Sequence, residues 1–264
     1  MQDHFYCRTA KGIAIAVLLA GIASLPARAE EPRCDAQANA VRFANPLPHL
    51  GRKLSSRQPI VIVAIGSSST AGVGASSPAA TYPSRLELEL RERFKRAQIT
   101  VINRGVGGEE VPDMLKRFDQ AVIANRPDLV IWQLGTNSVI RDHKVADHGA
   151  LIRAGIERIR KIGADIVLLD PQFAPKVIAK PEAERMVQLI AVTAKNEDID
   201  LFPRFNVMRH WHDAEHIDFK SFVSPDGLHM NDWSYACLAK NLSHAIAEAA
   251  MRPVVSASVH AFAD

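Results

Sequence analysis

From residue 59 onward the chain alternates between two hydrophobic rhythms. Ile60–Ile65 (IVIVAI) is an unbroken, mostly β-branched run, the pattern of a strand buried on both faces. Ile99–Ile102, Leu129–Leu134 and Ile166–Leu169 repeat that pattern, and Ile199–Phe202 is a weaker fifth. Between these runs the apolar positions change to helical spacing. Leu86, Leu90 and Phe94 share one face, with Glu87–Arg91 and Glu89–Arg93 as supporting ion pairs. The segment RLELEL also alternates with period two, and its charge pairing and length decide for helix. Met114, Leu115, Phe118 and Val122 mark a further helix. So do Leu151, Ile152, Gly155, Ile156 and Ile159, and then Val187, Ile190, Ala191 and Ala194. An Ala- and Leu-rich stretch over 231–251 closes the series. Strand and helix in regular alternation, without internal repeat, predict one α/β domain over 59–252: a three-layer α/β/α arrangement around a parallel sheet of five strands. In such sheets, ligands gather at the carboxyl ends of the strands.

The chain ahead of this domain has a different character. Arg8 and Lys11 precede an apolar run from Ile13 to Leu25, and Ala27-Arg28-Ala29 supplies an A-x-A cleavage site. Residues 1–29 therefore read as an export signal, cleaved after Ala29, which implies a periplasmic or secreted protein. The run is short for a membrane span, which needs roughly 20 apolar residues. An uncleaved anchor is the competing reading, and no other segment suggests stable membrane insertion. Residues 30–58, rich in Pro, Ala and polar groups, read as an arm on the domain surface, and 253–264 as a tail.

Removing the signal also changes the charge and cysteine arithmetic. The formal charge of +3 falls to +1, with 29 basic and 28 acidic side chains remaining. No Lys/Arg stripe interleaved with aromatics is present, so nothing favours nucleic acid as a partner. Cys7 leaves with the signal, and Cys34 and Cys237 remain. In an oxidising compartment they can clamp the arm to the last helix through a disulfide. Two separate thiols, with Cys237 buried in a helix face, are the alternative.

Four unusual blocks follow the strands. Gly66-Ser67-Ser68-Ser69-Thr70-Ala71-Gly72 ends the first strand with hydroxyls at a turn into a helix, where a serine is exposed beside free N–H groups. Asn103-Arg104-Gly105-Val106-Gly107-Gly108-Glu109 follows the second; its glycines let backbone approach a ligand, and its spacing is not that of a dinucleotide loop. Gly135-Thr136-Asn137-Ser138 follows the third, and its Asn can donate to an oxyanion. Ser224-Pro225-Asp226-Gly227-Leu228-His229 precedes the last helix, with an Asp three residues before a His that it can hold in one tautomer. Taken singly, each block also reads as a turn, a cap or a surface loop.

Taken together, in the order Ser, Gly, Asn, Asp-x-x-His, they resemble the SGNH (GDSL) hydrolase superfamily. The resemblance covers roughly 59–250. It implies a flavodoxin-like fold and cofactor-free ester hydrolysis with Ser68, His229 and Asp226 as catalytic triad. It also implies an oxyanion hole made by the backbone N–H groups of Ser68 and Gly108 and the side chain of Asn137. Two departures stand out. Ser67 replaces the Asp that usually precedes the nucleophile, and Ser138 follows Asn137 where Asp is frequent.

The expected substrate is a small-molecule or carbohydrate ester with a small acyl group, acetyl above all. Lipid esters and acyl-thioesters remain open, as does acyl transfer to another sugar by the same triad. A non-catalytic binding module and a flavodoxin-like nucleotide binder are the readings from other classes. His210-Trp211-His212-Asp213-Ala214-Glu215-His216 places His212 and His216 at i, i+4, a zinc spacing on a helix. There is no H-E-x-x-H and no evident third ligand, so no metal is expected, and the segment reads as a solvated stretch or a rim of the pocket entrance. Trp132 reads as core, while Gln172 and Phe173 stand at the right sheet edge for a substrate contact.

Overall fold

A computed structural model describes residues 1–2, 34 and 41–253. The expected signal segment, most of the arm and the tail from 254 lie outside the described residues. Among the described residues, no helix is long and apolar enough to cross a membrane.

The five apolar runs form five strands: β1 (Ile60–Gly66), β2 (Ile99–Gly105), β3 (Leu129–Gln133), β4 (Asp165–Leu169) and β5 (Asp200–Phe202). They pair in parallel in the order β2-β1-β3-β4-β5. This is the flavodoxin-like order. Helices connect and flank them: α1 (Pro48–Ser55), α2 (Ser68–Ala71), α3 (Tyr82–Arg93), α4 (Val111–Lys116), α5 (Phe118–Ala121) and α6 (Thr136–Ile140). α7 (His148–Lys161), α8 (Pro175–Ile178), α9 (Ala183–Asn196), α10 (Arg204–Asp213), α11 (Phe219–Phe222) and α12 (Asp232–Met251) follow. The result is a three-layer α/β/α architecture. Strands β1, β3 and β4 are almost wholly buried, as unbroken apolar runs require when both sheet faces are covered.

Two elements differ from expectation. Residues 48–55, expected to lie in a surface arm, form α1, and Val41, Phe43, Leu47 and Leu50 join the core. The helix spans only 8 residues among polar neighbours, too short for a period to stand out. The helix expected over Met114–Val122 is split at Arg117. This residue leaves helical geometry, and its guanidinium binds the Glu109 carboxylate and the Arg104 carbonyl. Trp132 is core: it lies under Phe118, and its indole N–H donates to Met114 Sδ at 3.2 Å.

Cys34 and Cys237 form a disulfide, with Cα atoms 5.3 Å apart. It ties the segment at Cys34 to α12.

Candidate active site

The sheet order reverses direction between β1 and β3, and the crevice at the carboxyl ends of these strands is where such folds bind ligands. Ser68 opens α2 directly after β1. Helix α2 is a single turn, so it supplies individual N–H groups rather than a helix dipole. Of the three consecutive serines, Ser67 and Ser69 are buried and only Ser68 is partly exposed. Ser68 Oγ lies 2.8 Å from His229 Nε2.

His229 and Asp226 come from the turn before α12. His229 Nδ1 is 2.5 Å from Asp226 Oδ2, and Asp226 Oδ1 accepts the backbone N–H groups of Leu228 and His229, each at 2.9 Å. Burial alone would raise the Asp226 pKa, but hydrogen bonds from the His229 side chain and these two N–H groups outweigh it and hold the carboxyl below its usual range. An ionised carboxylate only accepts, so His229 Nδ1 carries the proton. In the neutral ring, Nε2 is then the acceptor, and the Ser68 hydroxyl donates to it. The three residues thus form one line from carboxylate to hydroxyl, and that arrangement can remove a proton from Ser68 and store it on His229.

The β2–α4 loop runs beside Ser68. A Cβ placed on Gly107 would lie 4.0 Å from Ser68 Cβ. Gly108 has φ +79°, a left-handed conformation that suits glycine and turns the backbone here. Asn137, at the start of α6, donates Nδ2–H to Glu109 O at 2.8 Å and so pins this loop to the β3 edge. Among the described residues, the N–H groups of Ser68 and Gly108 have no partner within the chain. The candidate oxyanion donors, Ser68, Gly108 and Asn137, therefore lie on neighbouring loops at one sheet edge.

The remaining expectations divide. Gln172 is fully buried and does not face the cleft; its Oε1 accepts from Thr136 Oγ1 at 3.0 Å, and its Nε2 donates to Leu228 O at 3.1 Å. It links the Asn137 helix to the turn that carries Asp226 and His229. Phe173 is largely buried against Phe205 and Phe219. α10 ends at Asp213 and His216 lies beyond it with φ +56°, so His212 and His216 do not share a helical face. His212 pairs with Asp213 and stacks on Phe219, while Trp211 is core, packed on Phe222 and Trp233. Among the described residues, no group of His, Cys, Asp or Glu is arranged to hold a metal. Phe219 also lines a cavity of about 420 Å³ with Pro175, Lys220, Val223, Ser224 and Pro225, against the turn that carries Asp226. Sequence reasoning missed Gln133, which is buried at the end of β3 and accepts from Ser67 N at 2.9 Å and Ser67 Oγ at 3.0 Å. Its only signal was a polar residue ending an otherwise apolar strand.

Residues 33–252 match the family described as non-GDSL lipase-like. The chain belongs to that family. An arylesterase from Vibrio mimicus is 26% identical over 150 residues, 56% of this chain and 70% of that one. An acetylxylan esterase from Geobacillus stearothermophilus is 24% identical over 133 residues, covering 44% and 61% of the two chains. Among solved structures, a two-domain esterase active on acetylated mannans superposes with a TM-score of 0.67 at 20% identity, over 82% of this chain and 57% of that one. The chain thus spans little more than half of that two-domain protein, and the likeness extends to the shared fold. The family and its curated relatives place the chain among carboxylic ester hydrolases.

Proposed function

We propose that the protein hydrolyses small acyl esters, acetyl above all, carried on carbohydrate, through Ser68, His229 and Asp226. The observation that carries this reading is His229, whose two ring nitrogens lie 2.8 Å from Ser68 Oγ and 2.5 Å from Asp226 Oδ2. Ser68 Oγ attacks the ester carbonyl carbon while His229 Nε2 takes its proton. The carbonyl oxygen becomes an oxyanion, held by the N–H groups of Ser68 and Gly108 and by Asn137 Nδ2. Collapse breaks the bond to the leaving alcohol, which receives the proton from His229, and an acyl-serine remains. Water, deprotonated by His229, then releases the acid. Asp226 holds the ring and stabilises its charged form. The chemistry asks for no cofactor or metal.

Small acyl groups suit the immediate surroundings of Ser68. Val73 and Val106 are exposed apolar residues, and their N–H groups bond Ser68 O and Gly66 O, so both flank the nucleophile turn. A carbohydrate leaving group suits the cavity beside the Asp226 turn, where the ring of Phe219 offers an apolar surface and Lys220 and Ser224 offer polar groups. The relatives point the same way: one is an acetylxylan esterase, and the mannan-active esterase was crystallised with mannopentaose. Export is part of the proposal. The signal-like residues 1–29 argue for it, and the Cys34–Cys237 disulfide belongs to an oxidising compartment.

The test is hydrolysis of p-nitrophenyl acetate and longer p-nitrophenyl esters, and acetate release from acetylated xylo- and manno-oligosaccharides, beside Ser68→Ala. Activity that falls with acyl length and vanishes in Ser68→Ala is expected. A folded wild-type protein inactive on every ester would overturn the reading. Acetyl transfer to an added oligosaccharide in preference to water would replace hydrolase by acyltransferase.

A further inference from the structure

The nucleophile turn lacks the acidic residue that usually precedes the serine in related motifs, and the hydrogen bonds around Ser67 indicate what takes its place. The side-chain oxygen of Gln133, at the end of β3, receives three hydrogen bonds: from Ser67 N at 2.9 Å, Ser67 Oγ at 3.0 Å and Thr70 Oγ1 at 3.2 Å. Its orientation is forced, because a backbone N–H can only donate and must face an oxygen. With that oxygen committed as acceptor, both hydroxyls donate to it. Thr70 Oγ1 has then spent its hydrogen and accepts from Tyr82 Oη at 3.2 Å. Burial pushes the Tyr82 pKa up to about 12, which keeps the phenol protonated for this role.

Gln133 and Ser67 are each only 1% exposed, and Ser69, on the other side of Ser68, is buried as well. A Cβ on Gly66 would overlap Thr70 Oγ1 and lie 2.7 Å from Gln133 Oε1, so glycine is what lets the amide come this close. On the other side, Asn103 Nδ2 donates to Thr70 O at 2.8 Å. The turn is therefore held from β3 through Gln133 and from β2 through Asn103, with Ser68 at its exposed apex.

We propose that Gln133 is the positioning residue of the nucleophile: its side-chain oxygen, in place of an acid at position 67, fixes the turn that aims Ser68 Oγ at His229. This rests on the reading of Ser68 as nucleophile. Gln133 is remote from substrate, so its effect falls on the rate of attack and not on binding.

The experiment compares Gln133→Ala, Gln133→Met and Gln133→Glu with wild type, Ser67→Ala and the Ser67→Ala/Gln133→Ala pair. It reads kcat and KM on p-nitrophenyl acetate, the rate at which a fluorophosphonate labels Ser68, and thermal stability. In the labelling step the Ser68 O–P bond forms, fluoride leaves and His229 takes the proton, so nucleophile alignment is read without ester turnover. Gln133→Ala and Gln133→Met should lose about 10- to 100-fold in kcat and in labelling rate, the scale of a misplaced nucleophile, with KM within about twofold. Gln133→Glu keeps an oxygen acceptor and should recover most of that loss. Ser67→Ala should lose less than Gln133→Ala, and the double variant should be no slower than Gln133→Ala alone, because both act through one contact.

The inference is overturned if a folded Gln133→Met enzyme keeps wild-type kcat and labelling. It is equally overturned if Gln133→Glu loses as much as Gln133→Met, with the losses tracking stability. A wild-type protein that is neither labelled nor active sinks the esterase reading itself, whereas an active wild type beside an unaffected Gln133→Met sinks only the role of Gln133.

Discussion

Asn137→Ala is the substitution that weighs most on the proposed chemistry. Asn137 is half-buried at the start of α6, and one hydrogen of its amide is bound to Glu109 O at 2.8 Å. Among the described residues, no hydrogen bond occupies the other. Truncation therefore removes two contributions. The first is a donor to the developing oxyanion, whose loss typically costs about 10²–10³ in kcat, or roughly 2.7–4 kcal/mol. The second is the pin that holds the Gly108–Glu109 segment, an ordinary hydrogen bond contributing about 0.5–1.5 kcal/mol. The pin bears on where the Gly108 N–H points, so its loss can add up to about tenfold to the rate defect. Ground-state binding uses neither, and KM should stay near wild type. Asn137→Asp sharpens the case. It has the same shape, but a carboxylate donates nothing and would face the Glu109 carbonyl and the oxyanion with negative charge, so it should be at least as slow as Ala. The assay is steady-state hydrolysis of p-nitrophenyl acetate with thermal unfolding alongside. Near-normal kcat in Asn137→Ala, or an Asn137→Asp enzyme faster than Ala, would refute the donor role.

Two further outcomes concern stability. Asp170, after β4, is fully buried; its Oδ1 accepts from Phe205 N at 2.9 Å, and burial pushes its pKa up to about 7 against the pull of that N–H and of Arg204. A raised folded pKa means that the native state keeps a proton the unfolded chain has already released, near pH 4. Stability on this account is highest below pH 4, falls as pH rises to about 7, and stays lowered above it. Asp170→Asn should flatten the decline in urea midpoints between pH 4.5 and 8, whatever its absolute stability, and an unchanged slope would count against the assignment. The Cys34–Cys237 disulfide closes a sequence separation of 203 residues. Its removal by reductant or by Cys34→Ser should cost about 2–5 kcal/mol, a fall in Tm of roughly 4–20 °C, and a Tm insensitive to both would exclude a stabilising bond.

How far the site was legible depended on how local each contact is. Asp226 and His229 are three residues apart on one turn, and that turn brings Asp226 Oδ1 within 2.9 Å of the His229 N–H; such a pair is readable because chain geometry alone assembles it. Ser68 was readable among three serines only through the resemblance, whose register Gly66, Thr70, Ala71 and Gly72 also fit; the fold adds that Ser67 and Ser69 are buried. Gln172 was assigned to the correct sheet edge with the wrong orientation. Position after a strand says that a residue is near the crevice, not whether its side chain rises into it or, as here, ties the floor together through Thr136 and Leu228. The break at Arg117 was invisible because its cause, Glu109, lies eight residues back in a loop.

The two departures from the usual motif share a physical logic. At 67 and at 138, a serine stands where an acid is customary. A hydroxyl carries one hydrogen to donate and cannot match a carboxylate as a multiple acceptor. In each case another segment supplies the acceptor: Gln133 Oε1, at the end of β3, receives the Ser67 hydroxyl at 3.0 Å, and Glu110 Oε2, before α4, receives the Ser138 hydroxyl at 2.8 Å. Glu110 is further held by Arg141 at 2.6 Å and His143 at 2.9 Å. Burial would raise its pKa, but these partners together with Ser138 keep it below its usual value, so the acceptor is an ionised one. The acceptor has thus moved off each motif and onto the neighbouring strand or loop. A motif scan records this as two losses, although the hydrogen bonds that brace the Ser68 turn and the Asn137 helix are present from the opposite side.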